Sequence, residues 1–157
     1  MTTTPSSAPL IAVSGASGRL GSKVAQRLSA RGVPQRLLVR DLARVPELPG
    51  ATAAVAAYSD GGAARTALDG VHTLFMVSAF ESPTRVPEHR TFIDAAVAAG
   101  VLPIVIGQNS PCATFAVANV RAHLSRIPVT PRFIASAEMG EGFAEIARAI
   151  VSARSRA

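Results

Sequence analysis

The chain has 157 residues, enough for one domain with a substantial core, and its composition of 48% hydrophobic and 17% charged residues excludes a disordered or fibrous chain. Its net charge of +6 comes from arginines spread along the sequence with only 4% aromatic residues, so no basic block or stacking platform points to nucleic acid; an anionic small ligand suits the charge at least as well. A single cysteine, Cys112, excludes internal disulfides and cysteine-rich metal sites.

Met1 to Pro9 lacks the pattern of a secretion signal and reads as a loose tail, and no apolar run is long enough to cross a bilayer, so a cytoplasmic protein is expected. Leu10 to Val13 is a short apolar run that reads as a buried strand feeding the glycine-rich stretch "VSGASGRLGS". Leu20, Val24 and Leu28 then recur every four residues with polar residues between them, the pattern of an amphipathic helix stopped by Gly32. Arg36 to Arg40, "RLLVR", is the second predicted strand, and the residues after it form turns with at most one helical turn. Ala51 to Ala57 is a third strand. Asp60 caps a short helix ending near Gly70. Val71 to Val77, "VHTLFMV", is the strongest strand pattern. Pro87 to Ala99 is a helix with Phe92, Ala95, Ala96 and Ala99 on one face, and Leu102 to Ile106 is a fifth strand. Continuously apolar strands alternating with helices predict an α/β fold: a doubly wound parallel sheet of the Rossmann type, of at least five strands, with the first strand central.

A strand that enters a helix through Gly15, Gly18 and Gly21 offers backbone N–H groups and the positive end of a helix dipole to an anion. The first glycine permits the turn, the second lets a pyrophosphate approach the backbone, and the third lets the helix pack closely on the strand. Ser17 adds a hydroxyl. The competing reading is a tight turn with no ligand. At the end of the second strand, 25 positions after Gly15, stands Arg40, where a guanidinium would grip the 2′-phosphate of NADP and an acidic residue would select NAD. Asp41 follows it, and could instead cap the next turn. NADP is therefore expected over NAD, with a solvated surface arginine as the alternative.

The series "GASGRLG", "LLVRD", "YSD", "LFMVSAFES" and "EHRTFIDAAVAAGV", in this order, resembles the NmrA-like, atypical short-chain dehydrogenase family, close to its NAD(P)H:quinone reductase branch. The resemblance covers Leu10 to Ile106. It implies that Gly15, Ser17, Gly18, Arg19 and Leu20 line the pyrophosphate, with Gly21 completing the cofactor-binding turn, that Arg40 meets the adenosine phosphate, and that Ala57 and Tyr58 flank the adenine. Ala57 departs from the acidic residue the family often has there. Val77, Ser78 and Ala79 correspond to the stretch beside the nicotinamide ribose.

Residues 107–157 are expected to complete the same domain in abbreviated form, since the family normally continues into a longer substrate-binding part. Within them, "GEGFAEIARAIVSARSR" reads as an amphipathic helix with Phe143, Ile146 and Ile150 on one face, a candidate homodimer contact.

Carbonyl-reducing short-chain dehydrogenases use a Tyr-x-x-x-Lys pair, which this chain cannot form: its one tyrosine is Tyr58 and its one lysine is Lys23. A quinone accepts hydride from a positioned nicotinamide and takes its proton from solvent, so the missing pair leaves quinone reduction open. Cys112 has no visible base and there is no G-x-S-x-G, so no nucleophile is assigned. Three readings stand: an NADPH-dependent reductase of quinones or similar electrophiles, an NADP-sensing regulator of the NmrA type, and a shortened family member that binds cofactor only.

Overall fold

The computed structural model describes residues 8–80 and 82–101 together with two strands at 104–108 and 133–136. In chain order the elements are β1 (Ile11–Ser14), α1 (Arg19–Ser29), β2 (Gln35–Val39), a 3-10 turn (Leu42–Arg44), β3 (Ala51–Val55), α2 (Gly61–Ala67), β4 (Thr73–Val77), α3 (Arg85–Ala98), β5 (Ile104–Gln108) and β6 (Phe133–Ser136). The strands form one sheet in the order β3-β2-β1-β4-β5-β6. All five pairings are parallel. This is the doubly wound arrangement expected from the sequence, with β1 between β2 and β4. Its chain order reverses there, which opens a crevice beyond the carboxyl ends of β1 and β4.

Successive strand residues point to opposite faces, and in β1, β2 and β4 both faces are largely buried, which is why those strands read as nearly unbroken apolar runs, whereas the edge strand β3 is largely exposed. On one face Ile11, Val13, Leu37, Val39 and Phe75 pack with Leu20, Val24 and Leu28 of α1. On the other, Ala12, Leu38, Leu74 and Met76 pack with Ala64, Ala67 and Leu68 around α2 and with Phe92, Ile93, Ala95 and Ala96 of α3. Each fully buried large side chain contributes about 1.5–3 kcal/mol relative to exposure. Ala99, expected on the same face of α3, is partly buried at its edge.

Several boundaries differ from the sequence reading for local reasons. Strand β4 begins at Thr73, because Val71 N–H closes a turn on Leu68 and the N–H groups of His72 and Thr73 both reach the Leu10 carbonyl. Helix α3 starts two residues before Pro87, which therefore sits in the first turn, where a missing N–H deprives no helical carbonyl. Strand β3 ends at Val55, leaving Ala57 and Tyr58 in the connection to α2. Strands β2 and β5 are displaced by one and two residues from Arg36–Arg40 and Leu102–Ile106. Cys112, His123 and the helix expected around Phe143, Ile146 and Ile150 lie outside the described residues.

Candidate functional site

Strand β1 delivers the chain to the crevice at Ser14. Gly15 takes the left-handed conformation, with φ of +61°, which an L side chain adopts only with strain. The turn closes when Gly18 N–H donates to the Gly15 carbonyl at 2.9 Å. Helix α1 then begins, and no side chain caps it. The backbone N–H groups of its first turn, Leu20 and Gly21 among them, therefore lack the partner one turn back that interior helical residues have. Ser17, Gly18 and Arg19 are exposed along this lip. Leu20 is buried in the core, so what it offers an anion is backbone and not side chain. Gly21 performs the close approach expected of the third glycine: a Cβ there would stand 2.2 Å from the Gly15 carbonyl oxygen.

Arg40 is exposed at the carboxyl end of β2. Asp41, next to it, accepts the Ala43 N–H at 2.9 Å and caps the 3-10 turn. The carboxylate that made the cofactor choice ambiguous in the sequence is thus engaged as a local cap.

Ser14, Tyr58 and Val77 form a closed ring of hydrogen bonds that the sequence did not announce. Val77 N–H donates to Ser14 Oγ at 3.0 Å. The Tyr58 hydroxyl donates to the Val77 carbonyl. Because that carbonyl can only accept, the remaining contact of 2.5 Å between the two hydroxyls has Ser14 as donor and Tyr58 as acceptor. The ring ties the end of β1, the start of the α2 connection and the end of β4 into one unit, directly below the glycine turn. Burial holds the Tyr58 phenol protonated well above its ordinary range, against the opposing Ser14 hydrogen bond and Arg40 charge. The hydroxyl of Tyr58, a residue that the resemblance implies flanks the adenine, is turned inward.

His89 on α3 is buried, at 2% exposed. Its place on α3 faces the end of β4, where Nε2 accepts the Ala79 N–H at 3.0 Å. Its ring stands edge-on to Tyr58 at 5.7 Å and 73°. Tyr58 in turn packs on Phe92 at 4.6 Å. Burial first, then the Arg85 charge, lowers the His89 pKa to about 4, with Glu88 pulling the other way. His89 is therefore neutral near pH 7, with its proton on Nδ1. Val77, Ser78 and Ala79 are half-buried along the same edge, beside the exposed Phe80.

The glycine turn, Tyr58 and the Val77–Ala79 segment thus meet at the carboxyl edge of the sheet, with Arg40 at the end of neighbouring β2. Ser14 and His89 are the members that sequence reading missed. Among the described residues no group of His, Cys, Asp and Glu is placed to hold a metal ion, and no helix is long and apolar enough to cross a membrane.

Residues 7–120 match the model of the NmrA-like family. The chain belongs to that family. This NmrA-like chain is 38% identical over 96 residues to quinone oxidoreductase 2 of Escherichia coli (strain K12), a match covering 59% of the chain and 34% of that protein. Among solved structures it is similar to the E. coli NADPH-dependent quinone oxidoreductase complexed with NADPH, at 32% identity and a TM-score of 0.65, covering 74% of this chain and 44% of that one. It is also similar to the Citrobacter sp. triphenylmethane reductase complexed with NADP(H), at 27% identity and a TM-score of 0.60, covering 73% and 42% of the two chains. The chain therefore spans less than half the length of these relatives. NmrA, a negative transcriptional regulator, shares the fold at 16% identity and a TM-score of 0.66.

Proposed function

We propose that the chain binds NADPH across the carboxyl edge of its sheet and acts as a reductase of quinones or similar small electrophiles. The observation that carries this reading is the uncapped N-terminus of α1, reached through Gly15, Gly18 and Gly21, with an exposed arginine at the end of the next strand. The residues fit the cofactor: the exposed lip of Ser17, Gly18 and Arg19 would receive the pyrophosphate, and Arg40 the 2′-phosphate. Ala57 and Tyr58 would flank the adenine, and Val77, Ser78 and Ala79 would run beside the nicotinamide ribose. Similarity to two reductases whose structures hold NADPH or NADP(H) supports the same assignment.

NADPH supplies a hydride when bound, and a quinone completes its reduction with one proton from water. In this reading the chain's contribution is placement. Tyr58 does not serve as a proton donor, because its hydroxyl hydrogen is committed to the Val77 carbonyl. His89 uses Nε2 as an acceptor for the backbone, and Lys23 stands on the exposed side of α1, far in sequence from Tyr58. The protein positions the two reactants and leaves the proton to solvent.

The test is steady-state oxidation of NADPH with a small quinone. Saturable, quinone-dependent oxidation supports the reductase. Tight NADPH binding without turnover by any quinone would instead favour the NADP-sensing role.

A further inference from the structure

The backbone after β4 is held from two directions. At Val77 both polar groups are engaged, the N–H by Ser14 and the carbonyl by Tyr58. Two residues on, the Ala79 N–H is accepted by His89 from α3. This second tether serves neither the sheet ladder nor the helix. A leucine of similar volume would pack against Tyr58 in the same place, so the use of a buried imidazole lies in its acceptor nitrogen. The groups facing the ring are Tyr58 from the α2 connection and Arg85 and Glu88 from α3 itself. Burial and the Arg85 charge keep it in the neutral form that can accept.

We propose that His89 is a positioning residue: by accepting the Ala79 N–H it fixes the Val77–Ala79 backbone for the nicotinamide end of the cofactor and leaves the adenosine end untouched. This rests on the reading that the chain binds NADPH. The 2′-phosphate and nicotinamide ends lie on opposite sides of β1, with Arg40 following β2 and Ala79 following β4, and His89→Leu keeps the packing on Tyr58 beside the adenine. A defect confined to one of them therefore separates positioning from general loosening of the fold.

The experiment titrates the full 157-residue chain with two probes, NADPH and 2′,5′-ADP, the second lacking the nicotinamide half. His89→Leu should bind NADPH about five- to tenfold more weakly, the effect of losing one hydrogen bond that orders the contact segment, and bind 2′,5′-ADP unchanged. His89→Gln, which keeps an acceptor on a side chain of similar reach, should recover most of the loss. Equal weakening toward both probes, or no weakening toward either, would overturn the proposal. Should His89→Leu fail to fold, amide exchange in the wild-type protein decides: the Ala79 N–H should be protected at pH 7, and exchange as fast as an open loop would overturn it. A wild-type chain that binds neither probe rejects the cofactor reading itself, whereas binding of both probes with no separation by the variants rejects the role of His89 alone.

Discussion

Gly21 in α1 passes so close to Gly15 that a single added methyl would lie 2.2 Å from its carbonyl oxygen and 2.6 Å from its carbonyl carbon. Both neighbours are backbone, so the turn cannot yield by rotating a side chain. Gly21→Ala should therefore destabilise the fold by about 2–3 kcal/mol, the scale of an overpacked site, although alanine is the better helix former by about 1 kcal/mol. Urea denaturation measures this. A variant as stable as the parent would mean that the turn and helix are not packed as described.

Tyr58→Phe keeps the ring against Phe92 and His89 and removes the hydroxyl that links Ser14 to Val77. The Val77 carbonyl loses an acceptor bond and Ser14 loses its recipient, so a loss of about 1–3 kcal/mol is expected. The same denaturation measurement applies, and a neutral outcome would show that the hydroxyl ring contributes nothing to stability.

The pH dependence of stability should carry the mark of His89. An unfolded histidine titrates near 6.5, whereas the folded one is held at about 4. Between these values the unfolded chain binds more protons, so stability rises with pH across the window, is fully present above about 6.5 and is lost as pH falls toward 4. The slope from this one group is at most about 1.4 kcal/mol per pH unit. Comparing the wild type with His89→Gln from pH 4 to 7 isolates it from the carboxylates, and identical profiles would mean that His89 is protonated as easily folded as unfolded.

Arg40→Ala should weaken NADPH about tenfold or more, the worth of a charge-assisted bidentate contact, and leave NADH almost unchanged, because NADH has no 2′-phosphate. Equal losses for both cofactors would place Arg40 on a group they share, or in a structural role.

The parts of this molecule legible in its sequence are those fixed by neighbours a few residues apart. Gly15 adopts a backbone conformation that favours glycine, Asp60 accepts the Ala63 N–H at the start of α2, and the apolar run before Val77 has to be a strand buried on both faces. Each is a local requirement with a local signature. The Ser14–Tyr58–Val77 ring joins residues 44 and 63 positions apart. Nothing near Ser14 distinguishes it from a strand-end serine until the sheet order sets β4 beside β1. His89 was missed for the same reason. The sequence "PEHRTF" gives it polar neighbours on both sides, and only the packing of α3 over the end of β4 turns its ring inward.

The most direct test of the central claim, that the Gly15–Gly21 turn holds a dinucleotide, is titration of the full chain with NADPH and NADH followed by nicotinamide fluorescence, with Gly18→Val alongside. Gly18 has a negative φ of −90° and lies on the exposed lip, but a Cβ there would stand 3.2 Å from the Gly15 carbonyl oxygen. The turn has to give by a few tenths of an ångström, so the fold of the variant is checked by circular dichroism, while the valine fills the space a pyrophosphate would take. The expected result is saturable binding, tighter for NADPH than for NADH, and abolished in a folded Gly18→Val variant. No binding of either nucleotide by the wild-type chain, or unchanged affinity in that variant, would contradict the account.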